Sequence, residues 1–91
     1  MADQLWPKNV VQVTETYMER YPSGKRNYEM VDFGPAIETC FVYLNEDLSY
    51  EEREEIIMER HRELWKRCYK SIMEQVNQAI RDKRIIGVNE R

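Results

Sequence analysis

Apolar residues at Val10, Val13, Tyr17, Met18 and Tyr21 recur at spacings of three and four, the signature of one helical face. Asn9 with Gln12 three residues later fits a capping box at its start, although β-branched Val10, Val11 and Val13 lower the helical propensity. The pattern predicts a helix over about 9–20, stopped by Pro22. A loop follows at Pro22, Ser23, Gly24, Lys25, Arg26 and Asn27, where proline and glycine both oppose continuation.

The next segment reads in two ways. Ile37, Cys40, Phe41 and Leu44 fall at i, i+3, i+4 and i+7, and Pro35 suits the first position of a second helix. Thr39, Phe41 and Tyr43 also alternate, so Tyr28 to Phe33 and Ile37 to Leu44 form an alternative hairpin around Phe33, Gly34, Pro35 and Ala36. The first choice is the expected one and gives an all-α chain of two short helices and one long C-terminal helix, packed as a homodimer. The second gives an α+β chain with a hairpin at about 28–44.

The third element carries the strongest signal. Ser49 and Glu52 make a capping box, and neither Gly nor Pro interrupts the chain until Gly87. A helix over about 49–83 is roughly 50 Å long at 1.5 Å per residue. Its apolar stripe includes Ile57, Leu64, Trp65, Cys68, Ile72 and Val76, and it spans about 160° of the helical wheel. Several of these positions repeat at eleven residues, a period that keeps a stripe nearly straight.

Two helices of 12 or fewer residues, each under ~20 Å, are too short to cover such a stripe side by side. The expected consequence is self-association through Leu64, Trp65, Tyr69, Ile72, Val76 and Ile80, as a homodimer or higher oligomer. The ends, residues 1–8 and 85–91, are expected to be flexible, and the whole chain to form one helical domain.

Composition sets the outer limits. With 91 residues the chain has room for one modest core, and 42% hydrophobic with 34% charged residues of mixed sign describes a chain that folds. No apolar run nears the ~18 residues that cross a bilayer, and the first residues lack a signal-peptide pattern, which predicts a cytoplasmic protein without a membrane partner. Cys40 and Cys68 lack CxxC or histidine spacing and read as free thiols.

The net charge of -3 conceals a sharp division. Residues 46–59 carry seven acidic groups and one basic, whereas residues 60–84 carry eight basic and three acidic. Acids early and bases late complement the helix dipole. They also suit an antiparallel partner helix related by an axis near Arg62 and Glu63.

Candidate chemistry is sparse. His61 is the sole histidine and has Met58, not a carboxylate, three residues before it, so it reads as a structural residue at the edge of the stripe. There is no nucleophile elbow and no glycine-rich phosphate loop, and no metal or cofactor is expected. Lys25 and Arg26, flanked by Tyr21 and Tyr28, are candidate anion-binding residues. Six Tyr and two Trp are residue types enriched at interfaces.

The expected function is therefore a non-enzymatic interaction or regulatory module that binds itself and another protein. The alternative is a small dimeric module that binds nucleic acid or a phosphorylated ligand through its basic residues; the acidic balance weighs against nucleic acid.

Overall fold

The computed structural model describes residues 9–24 and 29–86. Two strands, β1 (Val10–Pro22) and β2 (Met30–Tyr43), pair antiparallel and are followed by one helix, α1 (Tyr50–Arg81). The chain is thus α+β, and the all-α expectation falls. The two short helices are strands, and the hairpin alternative has the right class. Its turn, however, lies between residues 22 and 30, so that the whole segment expected as a first helix becomes β1.

Sequence pattern explains how the strands were hidden. On β1, Val11, Val13, Tyr17 and Tyr21 lie on alternate positions and turn inward, although Val10, Val13, Tyr17 and Tyr21 also match helical spacing. The β-branched residues Val10, Val11, Val13, Thr14 and Thr16 decide in favour of a pleated strand once a partner strand is present. On β2 the alternation changes parity: Val31 and Phe33 face inward before Gly34 and Pro35, and Ala36, Cys40 and Val42 do so after them. The cause is a bulge. Tyr17 pairs with Ala36 and Glu19 with Phe33, leaving Met18 opposite both Gly34 and Pro35, which are joined by a cis peptide bond.

The helix begins as its sequence predicts. The Ser49 side chain accepts a hydrogen bond from the Glu52 amide at 3.1 Å, and the Ser49 amide donates to the Glu52 carboxylate at 2.8 Å. One stripe of α1, formed by Leu64, Cys68, Ile72, Val76 and Ala79, is buried against the hairpin. Leu64 packs with Val13, Val42 and Leu44 near the strand ends, and Ile72, Val76 and Ala79 pack with Phe33 nearer the turn.

The hairpin therefore covers the stripe that two short helices would have left bare. A strand rises about 3.3 Å per residue, so the 13 residues of β1 extend roughly 43 Å, against about 48 Å for the 32 residues of α1. The same residues coiled as a helix reach less than half as far. Leu64, Ile72 and Val76 are consumed by the chain's own hairpin.

After α1 the chain returns to the sheet. Ile85 turns back into the core and is only 5% exposed, and the Ile86 amide donates to the Pro22 carbonyl at 3.5 Å. Residues 85 and 86 thus lie against the core and the end of β1. Residues 1–8 and 87–91 lie outside the described residues.

Candidate functional site: the flank of β1 and α1

A two-stranded sheet has two open edges, and they differ here. The Leu44 amide donates to the Asn9 carbonyl at 2.7 Å, and the Ser23 amide donates to the Glu29 carbonyl at 3.0 Å. Alternation from these two bonds aims the backbone groups of odd-numbered β1 residues at β2. The amides and carbonyls of Gln12, Thr14, Thr16, Met18 and Arg20 consequently point to the open side. No proline interrupts them. The β2 edge is blunted by its bulge and by Pro35, which has no amide hydrogen to donate.

Above the β1 edge lies the aromatic side of α1. The Tyr17 ring meets Trp65 edge-on with centroids 5.6 Å apart and Tyr69 at 5.4 Å, while Trp65 and Tyr69 stack at 5.1 Å. Trp65 and Tyr69 nevertheless remain 40% and 39% exposed. They cover Tyr17 on one side and present their other side outward.

A groove of about 350 Å³ runs beside Trp65, lined also by Glu15, His61, Arg62 and Lys66. His61 Nδ1 lies 2.6 Å from Oε2 of Glu15 across 46 positions of sequence. Sequence spacing placed His61 at the edge of the stripe but gave no sign of Glu15, because only the packing of α1 on β1 brings the two together. The Cys68 thiol donates to the Glu15 carbonyl at 3.4 Å, and burial, followed by the nearby carboxylates of Glu38 and Glu15, pushes that thiol above its ordinary pKa.

A second carboxylate is held farther along β1. The phenols of Tyr17 and Tyr21 both donate to Glu19, and this hydrogen bonding, with burial and the Glu19 charge, raises each phenol to about 12. Glu15 and Glu19 thus point toward the helix layer from an edge strand, each tied by hydrogen bonds. On α1, Arg62 bonds Glu59 at 2.5 Å, Arg67 reaches Glu38 of β2 at 4.0 Å, and Glu63 pairs with Arg60.

Of the residues expected to mediate self-association, Trp65 and Tyr69 lie on this flank. Ile80 is partly buried against the core at the far end, with Leu64, Ile72 and Val76 beneath the helix. Lys25 and Arg26 lie outside the described residues. Among the described residues no group of three His, Cys, Asp or Glu side chains converges on a metal-sized site. No described helix is long and apolar enough to cross a membrane. Comparison with known protein families, curated proteins and solved structures finds no match to this chain.

Proposed function

We propose that this protein is a non-enzymatic binding module that joins another protein chain along the flank made by the β1 edge and the aromatic side of α1. The observation that carries the proposal is the coincidence of an uninterrupted row of edge-facing backbone groups with the exposed faces of Trp65 and Tyr69. Strand addition draws affinity from main-chain hydrogen bonds and specificity from adjoining side-chain surfaces, and both elements are present here. Tyrosine and tryptophan are residue types that dominate such contacts. Glu15 and His61 occupy each other's hydrogen-bonding atoms at the groove floor, an arrangement suited to fixing the helix over the strand.

A photoreactive phenylalanine derivative placed at Tyr69 tests the proposal in the protein's own cells, with the same derivative at Glu74 as control. Glu74 is exposed on the β2 side of α1. Protein adducts at position 69 but not at 74 are the expected result. Equal capture at both positions, or capture of nucleic acid alone, overturns it.

A further inference from the structure

The geometry points to a second copy of this chain as the occupant of the flank, joined by antiparallel pairing of β1 with β1 about a two-fold axis at Thr16. This rests on the protein-binding reading above and narrows it to one partner. The result is a four-stranded sheet, ordered β2, β1, β1 and β2, with both helices on one face.

The first support is distance. Paired strands lie about 4.8 Å apart. α1 packs on residues of both strands, and an axis above the midline between them would lie roughly 2.4 Å inside β1. The two-fold axis lies half a strand spacing outside β1, so the two helix axes would stand about 10 Å apart, at the upper end of the 8–10 Å range of packed helices. Edge pairing therefore brings the helices into contact without moving either one.

Hydrogen-bond parity requires even-numbered residues to pair with even-numbered residues of the partner, and centring the pair on the strand then selects Thr16. Thr16 is the midpoint of Val10–Pro22, so centring the pair there matches Thr14 with Met18 and Gln12 with Arg20 of the partner copy. All of these present their backbone groups to the edge. Registers displaced by a single residue would oppose edge-facing groups to groups already bonded to β2.

Side chains meet in the same place. Tyr17, next to the axis, already touches Trp65 and Tyr69, so these two rings and their symmetry mates close over the axis. Arg62 and Lys66 stand on the flank of α1, above the position taken by the partner's β1. That strand carries Glu15 and Glu19 on its helix-facing side, which gives opposite charges across the interface. Inward carboxylates normally discourage edge pairing; here the facing cations offset them. Because the Ile86 amide already holds the Pro22 carbonyl, the free edge runs from Gln12 to Arg20, roughly 30 Å, and over a face about 15–20 Å high it buries about 450–600 Å² per partner, the lower end for a specific interface.

Sedimentation of the full chain at micromolar concentration tests the assembly, with Thr16→Pro as the decisive variant. The Thr16 amide faces the open edge, so proline there removes no bond to β2 but blocks the intermolecular ladder. Wild type is expected at twice its 11.1 kDa mass, and Thr16→Pro, with unchanged circular dichroism, at the monomer mass or with dissociation about 100-fold easier. Thr16→Cys supplies an independent readout, an intermolecular disulfide that Thr39→Cys on β2 does not form. A wild-type monomer overturns the dimer while leaving protein capture at position 69 to decide the wider proposal. A dimer that survives Thr16→Pro but is broken by Ile37→Ser, on the outer face of the sheet, also overturns it.

Discussion

Ile72 lies directly over Gly34. A β carbon added at Gly34 would come within 2.9 Å of the Ile72 Cδ1 atom and within 2.9 Å of the Tyr17 carbonyl oxygen. Gly34 also has φ +101°, a region that side chains disfavour, and it occupies the bulge that resets the alternation of β2. Helix, bulge and sheet register thus depend on one missing side chain.

Gly34→Ala is therefore expected to destabilise the fold by about 2–4 kcal/mol, from backbone strain and the close contacts together. Ile72→Ala, which empties a fully buried site, is expected to cost a similar amount, about 2–4 kcal/mol. The double variant should cost less than the sum, since the shortened residue 72 gives the new methyl room. Urea unfolding of the four proteins measures all three quantities; strict additivity would contradict the contact.

The capping box makes a separate prediction at the other end of the helix. Ser49→Ala leaves the Glu52 amide without its side-chain acceptor, at an expected cost of about 1 kcal/mol. Ser49→Asp should recover most of it. Thermal melts followed by circular dichroism would show the effect, and a Tm unchanged in Ser49→Ala would contradict it.

Glu19 governs the alkaline limit of stability. The folded state holds the protons of Tyr17 and Tyr21 up to about 12, against an ordinary value of 10.0. The folded pKa values are raised, so this stabilisation is fully present below pH ~10 and is lost as pH rises toward 12. Ultraviolet titration should show Tyr17 and Tyr21 ionising late. Glu19→Gln should return both toward the ordinary range, and persistence of the late pair in that variant would refute the assignment.

The thiols should separate by burial. Cys68 is fully buried, bonded to the Glu15 carbonyl and raised in pKa, whereas Cys40 is partly buried on β2. In Cys40→Ser, alkylation of Cys68 should proceed only through opening of α1 from the sheet and should accelerate steeply in urea. Labelling as rapid as in the unfolded chain would contradict the packing.

The two halves of the chain differ in how openly their sequence declares them. For α1, the Ser49 and Glu52 cap and the long stretch without Gly or Pro are local signals that no neighbour overrides. For β1, Val10, Val13, Tyr17 and Tyr21 satisfy both periods, and β-branched residues were the better guide. On β2 the bulge at Gly34 and Pro35 switches which parity faces inward, so a strict search for alternation fails midway.

The functional flank was legible only in part. Trp65 and Tyr69 were legible as apolar stripe residues, but not as the part of the stripe that stays exposed. Their neighbour Tyr17, the Glu15 contact of His61 and the direction of the edge-facing amides depend on which strand lies beneath which side of α1.

Sequence by itself determined the long capped helix, its apolar stripe and the opposed charge blocks, because each depends on residues near one another in the chain. Tertiary structure decided what the stripe covers. Extended strands reach more than twice as far per residue as helices, so a hairpin shields the buried stripe of α1 where two short helices fail. That exchange moved Leu64, Ile72 and Val76 into the core and left Trp65 and Tyr69 beside an open strand edge, a surface created only when residues far apart in sequence pack together.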